Sequence, residues 1–159
     1  MTPEPKPLDE VDAALLRAKQ HNATQSQASL AQTVGLSVTG VDKRIKRLER
    51  QGIILRTVAI LNRERLGLDL LCFLTVSFKA NTNPSNMKTL TQACAGLPQV
   101  LECYTLTGIN DAILKVLVRD HKALREFLAQ LSSNQNVVER VQTSNVLEKS
   151  KETHELMIE

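Results

Sequence analysis

Tryptophan is absent from these 159 residues, and one tyrosine and three phenylalanines are the only aromatics. Proteins that grip single-stranded nucleic acid stack its bases on exposed rings, so a platform of that kind is excluded. Cysteine is scarce too. Cys72, Cys94 and Cys103 cannot pair completely, and no two show the CxxC spacing of a zinc site, so reduced thiols are expected. His21, His121 and His154 have no cysteine or carboxylate at metal-ligand spacing, which argues against a metal. No nucleophile–base pair and no phosphate-cradling glycine loop can be assembled, so neither an enzyme nor a bound cofactor is expected. The apolar runs fall far short of the roughly 20 residues that span a bilayer. The opening MTPEPKPLDE is proline-rich and acidic, without the apolar core of a secretory leader. The expected location is the cytoplasm, with no membrane partner.

What the chain does have is unevenly placed positive charge. Residues 1–66 carry 11 Lys+Arg against 7 Asp+Glu, whereas residues 67–159 carry 9 against 10. Six of the basic residues lie between Lys43 and Arg56, balanced only by Glu49. They sit on SLAQTVGLSVTGVDKRIKRLERQGII, where Val41, Ile45 and Leu48 recur at helical spacing as an apolar stripe. Thr39, Lys43, Lys46 and Arg50 recur at the same spacing on another face. A shorter helix and a turn at Gly35 precede this segment, and a helix–turn–helix of this form inserts its second helix into the major groove of duplex DNA. A plain three-helix bundle with a solvated basic face is the weaker reading, because acids are nearly absent after Asp42. Ser37 and Thr39 then lie near the start of the inserted helix. Lys43, Lys46, Arg47 and Arg50 neutralise phosphates or reach guanine edges. Arg44 either joins them or braces the domain. Gly40 weakens the helix by about 1 kcal/mol relative to alanine and would permit close backbone approach. Asp42 either accepts from cytosine or points away.

The pattern predicts two folded parts. Residues 1–7, with three of the five prolines, form a frayed tail. Residues 8–53 form the helix–turn–helix domain: a first helix from Leu8 with Leu8, Val11, Leu15 and Leu16 inward, a second capped by Ser26, and a third capped by Ser37 and stopped at Gly52. Residues 54–69 connect the parts, with β-branched Ile53–Ile60 read as a strand. Residues 70–159 carry strands at Leu70–Lys79, Val100–Gly108 and Asp111–Asp120, helices at Asn83–Leu97 and His121–Ser133, and a closing strand after Asn136. That β-α-β-β-α-β order predicts a ferredoxin-like layer, so the class is α+β. Both faces of the first strand are apolar, and helices cover only one, so a homodimer is expected.

The connection Gly108–Ile109–Asn110–Asp111 is by itself most simply a hairpin turn. Thr105 and Thr107 arrive at it, however. Hydroxyls, exposed backbone N–H groups and one carboxylate suit a free amino acid, with Asp111 holding its ammonium group. Ser133 is a further polar candidate at the end of the last helix.

LDEVDAALL, SLAQTVGLS, VDKRIKRLERQGII, RERLGLD and CYTLTGINDAILKV together resemble the leucine-responsive regulatory protein/AsnC family, over Leu8 to about Lys149. The resemblance implies a transcription regulator: a winged helix-turn-helix, then a ferredoxin-like domain of the AsnC type that senses amino acids and forms dimers, which commonly assemble into octamers that wrap DNA. It implies an effector pocket of Thr105, Thr107, Gly108 and Asp111 from one dimer with Ser133 from its neighbour. The chain departs from the family pattern at Thr24, where many members carry arginine, and at Ile109–Asn110, where an aromatic residue is more usual. An effector-blind architectural protein that compacts the nucleoid would use the same DNA-binding residues. A third reading is a tetrapyrrole decarboxylase like some similar proteins, but the matching strand, ECYTLTG, lacks their histidine.

Overall fold

The computed structural model describes residues 7–79, 92, 96–133 and 138–158. The chain divides into two compact units: one runs to Ile60 and includes the final segment from Lys151, and the other spans Leu61–Ser150. That final segment was expected within the second domain. Instead, the Leu156 N–H donates to Gln20 Oε1 at 2.7 Å, and Arg17 donates to the Ile158 carbonyl at 3.1 Å.

The first unit is built from three helices whose ends are written in their caps. Helix α1 (Glu10–His21) starts at Asp9, whose carboxylate accepts from the Asp12 N–H at 2.8 Å while Asp12 accepts from the Asp9 N–H. This reciprocal box satisfies two of the amides that a helix start leaves unpaired. Helix α2 (Gln27–Val34) is capped by Ser26 and ends at Gly35 in the left-handed region, φ 67°. Helix α3 (Val38–Arg50) is capped by Ser37 and leads into Gly52, φ 70°. Leu15, Leu30, Ala31, Val41 and Ile45 form the core, with Val11, Val34, Leu36 and Ile54 packed against it. Leu8, expected to face inward, precedes α1 and is exposed.

The strand expected over Ile53–Ile60 is not formed. Residues 55–62 are without regular structure, and Leu55, Val58 and Ile60 are exposed. β-Branched composition favours a strand only where a neighbouring edge supplies ladder hydrogen bonds, and among the described residues none pairs with this segment. Among the described residues, the first unit is therefore a helix-turn-helix without a paired wing.

The second unit is a four-stranded antiparallel sheet: β1 (Leu70–Phe78), β2 (Val100–Thr105), β3 (Ala112–Val118) and β4 (Val138–Asn145). The spatial order is β2-β3-β1-β4, with Leu74 opposite Leu114 on one side and Thr143 on the other. Sequence-distant β1 and β3 lie side by side at the centre, as the ferredoxin-like order requires. Alternation puts Cys72, Leu74, Val76, Leu114 and Val116 on one face, where helix α4 (His121–Ser133) lays Leu124, Phe127 and Leu131. The helix expected at Asn83–Leu97 lies mostly outside the described residues, as does Cys94. The opposite face of the sheet carries exposed Phe73 and Tyr104 beside a Lys115–Glu102 ion pair of 3.0 Å.

Candidate nucleic-acid interface and polar turn

Five basic side chains decorate α3, and the fold divides them into two sets. Arg44 and Arg47 flank the apolar stripe and reach across to α1. Arg44 Nη1 lies 2.6 Å from Asp9 Oδ2 and 2.8 Å from Asp12 Oδ1, and Arg47 Nη2 pairs with Asp12 Oδ2. Asp12 is only 1% exposed, so its charge is held away from water by two guanidinium groups. Arg44 first, and then the Asp12 N–H, hold the Asp9 carboxyl below its ordinary pKa, while Asp9 and then Asp12 raise that of Arg44. The sequence pattern assigned Arg47 to DNA and left Arg44 open. In the structure both cations pair with carboxylates of α1 and its cap. Asp9 and Asp12, which cap α1, also supply the counter-charge for both arginines.

Lys43, Lys46 and Arg50 form the other set, exposed at i, i+3 and i+7 along one face. Thr39 and Ser37 are exposed at the start of the same helix, although the Ser37 hydroxyl already accepts from the Gly40 N–H at 3.1 Å. A side chain at Gly40 would place its Cβ 3.2 Å from that hydroxyl, so the glycine makes room for the cap. An open groove of about 750 Å³ is lined by Lys43, Arg44, Lys46, Arg47, Glu49 and Arg50. Asp42, whose role the sequence left open, accepts from Gln27 Nε2 at 3.2 Å and pairs with Lys46 Nζ at 2.8 Å. Val38, in the first turn, went unnoticed because it stands in register with the apolar stripe, yet it is 47% exposed.

The polar turn of the second unit lies between β2 and β3. Thr105 is exposed at the end of β2, Thr107 and Gly108 are exposed on the turn itself, and Gly108 has φ 120°, a conformation that side-chain-bearing residues rarely adopt. Asp111 is anchored on three sides: its carbonyl accepts from the Leu106 N–H at 2.8 Å, its N–H donates to the Val76 carbonyl at 2.9 Å, and its Oδ2 accepts from the Phe78 N–H at 2.8 Å. The carboxylate expected to receive an ammonium group thus has one oxygen committed to the end of β1. Asn110 lies beside it, accepting from the Ser77 hydroxyl at 3.2 Å. Ser133 closes α4, and its side chain lies outside the described residues. No helix among the described residues is long and apolar enough to cross a membrane.

Residues 8–49 match the AsnC-type helix-turn-helix domain, and residues 71–156 match the Lrp/AsnC ligand binding domain. Among curated proteins, the chain is 33% identical over 149 residues to the transcriptional regulator AzlB of Bacillus subtilis, covering 92% of each chain. It is 32% identical to the leucine-responsive regulatory protein of Escherichia coli, covering 96% of this chain and 93% of that one. Among solved structures, a transcriptional regulator from Neisseria meningitidis in complex with L-Met superposes with a TM-score of 0.88 at 29% identity, covering 95% of this chain and 97% of that one. An AsnC family regulator from Agrobacterium tumefaciens gives the same TM-score and identity, over 94% and 97%.

Proposed function

Because this chain belongs to the Lrp/AsnC family of transcriptional regulators, we propose that it acts on duplex DNA through the Lys43–Lys46–Arg50 face of α3 and responds to an amino acid at the Thr105–Asp111 turn. DNA-binding transcriptional regulation is the activity of the family. The observation that carries the finer reading is the division of cations on α3: Arg44 and Arg47 fix the helix to α1, and the face left exposed is basic and headed by Ser37, Val38 and Thr39. Phosphate contacts from Lys43, Lys46 and Arg50 set affinity and register, and the first-turn side chains meet base edges.

An amino-acid effector is favoured by the polar turn and by the L-Met complex of the Neisseria relative. With Asp111 Oδ2 engaged by Phe78, the Asp111 Oδ1 oxygen, the backbone N–H groups of the turn and the Thr105 and Thr107 hydroxyls are the groups proposed to receive the effector. Ser133 of a neighbouring dimer completes the pocket. A second copy covers the open face of the sheet, where Phe73, Leu101 and Tyr104 are exposed. Octamers follow if dimers meet at the turns. Two α3 helices in a dimer then reach half-sites about 34 Å apart, or a multiple of it, on an imperfect palindrome in the cytoplasmic nucleoid.

The test is a mobility-shift salt series on Lys43→Ala with Arg50→Ala. Binding should weaken on every duplex, and the log–log salt slope should flatten by about 1.8 for each α3 engaged. An unchanged slope removes α3 from the interface. Calorimetry against the twenty amino acids tests the effector: heat from one of them supports the sensing turn, and silence across all of them favours an architectural protein.

A further inference from the structure

Asp42 is an acidic side chain in the middle of a DNA-facing helix, and electrostatics alone would disfavour it there. Its surroundings are specific. Gln27 holds one carboxylate oxygen from α2 at 3.2 Å, and Lys46 takes the other at 2.8 Å. Gln27 belongs to a different helix, so the carboxylate is aimed at Lys46 from outside α3. We propose that Asp42 is an internal phosphate mimic that sets the selectivity of duplex binding, occupying Lys46 until a correctly seated DNA phosphate displaces it. The proposal rests on the DNA-binding reading above.

A carboxylate and a phosphate oxygen compete for the same ammonium group. The Lys46 side chain is 66% exposed, and an exposed i,i+4 pair shifts an equilibrium only about twofold. The pair is therefore weak enough to exchange. Exchange is not free of penalty, because Asp42 is then left charged beside the DNA backbone. Lys46 holds the Asp42 carboxyl below its ordinary pKa, with Gln27 adding to the effect, and Asp42 raises that of Lys46, so both are charged at neutral pH. On random DNA the phosphate that Lys46 gains is offset by the carboxylate it gives up, and Lys46 contributes little. On a site whose bases draw α3 into the groove, the exchange is driven by contacts elsewhere. Among the described residues Lys43 has no carboxylate partner, so it contributes on any sequence.

The experiment uses the full chain, fluorescence anisotropy, and two labelled duplexes of about 30 base pairs: one of random sequence and one recovered by in vitro selection. Salt is varied from about 50 to 200 mM. Asp42→Asn keeps an acceptor for Gln27 and removes the charge. It should bind the random duplex about threefold more tightly at the lowest salt, steepen the slope by about 0.9 per α3 engaged, and lower the selected-to-random affinity ratio. Asp42→Glu should restore the wild-type slope. A second pair of variants does not depend on Asp42→Asn folding: Lys43→Gln should flatten the random-duplex slope by about 0.9, and Lys46→Gln, which removes an already paired charge, should flatten it less. Equal flattening by the two lysine variants, or an Asp42→Asn slope like the wild type, overturns the proposal and leaves the DNA interface standing. Failure of the wild-type protein to bind either duplex overturns both.

Discussion

Asp12 and Asp111 are carboxylates that hold their respective units together, and they do so by different physics. In the helical unit, Asp12 is buried and satisfied by two guanidinium groups from α3, more than thirty residues along the chain. In the sheet unit, half-buried Asp111 is tied by hydrogen bonds to and from the main chain. The difference follows from core size. The helical unit has a small apolar cluster and recruits a charge network to fix α3 against α1. The sheet unit buries a continuous face of β1 and β3 against α4 and needs only a hydrogen bond to finish a strand. The helical unit thus uses two arginines, Arg44 and Arg47, for its integrity.

The sharpest way to separate the two strategies is to damage each at its centre. Phe127 is 1% exposed and packs α4 onto the sheet, so Phe127→Ala should cost about 4 kcal/mol in urea denaturation. Amide exchange should show the loss in β1, β3 and α4, with α1–α3 still protected. Asp12→Ala should do the reverse at a cost of about 3 kcal/mol, because it leaves two partly buried guanidinium groups without their counter-charge. If Asp12→Ala leaves the exchange of α3 unchanged, the charge network is not what fixes the recognition helix.

These same residues mark how far the sequence could be read. Helix ends were legible because they are local: Ser26, Ser37, Gly35 and Gly52 stand where caps and stops belong, and the structure uses each one. The four strands lie where the sequence reading put them, and the β-α-β-β-α-β order anticipated that β1 and β3 lie side by side. The stretch Ile53–Ile60 was misread because composition records a residue's preference and not whether an edge is available to pair with. Arg44 and Arg47 could not be sorted from Lys43 and Lys46 by helical spacing, which places a side chain on its own helix but does not report what a neighbouring helix carries. The Asp9–Asp12 spacing did hold the signal of a capping box, and with it the hint that those acids were structural. At the polar turn the sequence reading ran the strand on to Gly108, whereas β2 ends at Thr105 and leaves Thr107 and Gly108 on the exposed turn. The Phe78 amide that engages Asp111 lies 33 positions away, beyond any local pattern.

The smallest effect expected is also the one that isolates charge from geometry in the network. Asn is as good a helix cap as Asp, so Asp9→Asn preserves the start of α1 and removes only the attraction to Arg44. Asp9 has a carboxyl pKa below its ordinary value of 3.8, chiefly because of Arg44, so folding favours its charged form. That contribution is present in full above about pH 3.8 and is lost as the pH falls through the lower, folded-state value. Asp9→Asn should therefore be slightly less stable than the wild type at pH 7, and the gap should close as the solution is acidified past pH 3.8, because the wild-type group then becomes neutral too. Thermal denaturation of the two proteins from neutral to acid pH measures the gap directly. A gap that stays constant across that range rules out the Asp9–Arg44 attraction as its source and leaves Asp12 as the carboxylate that anchors α3.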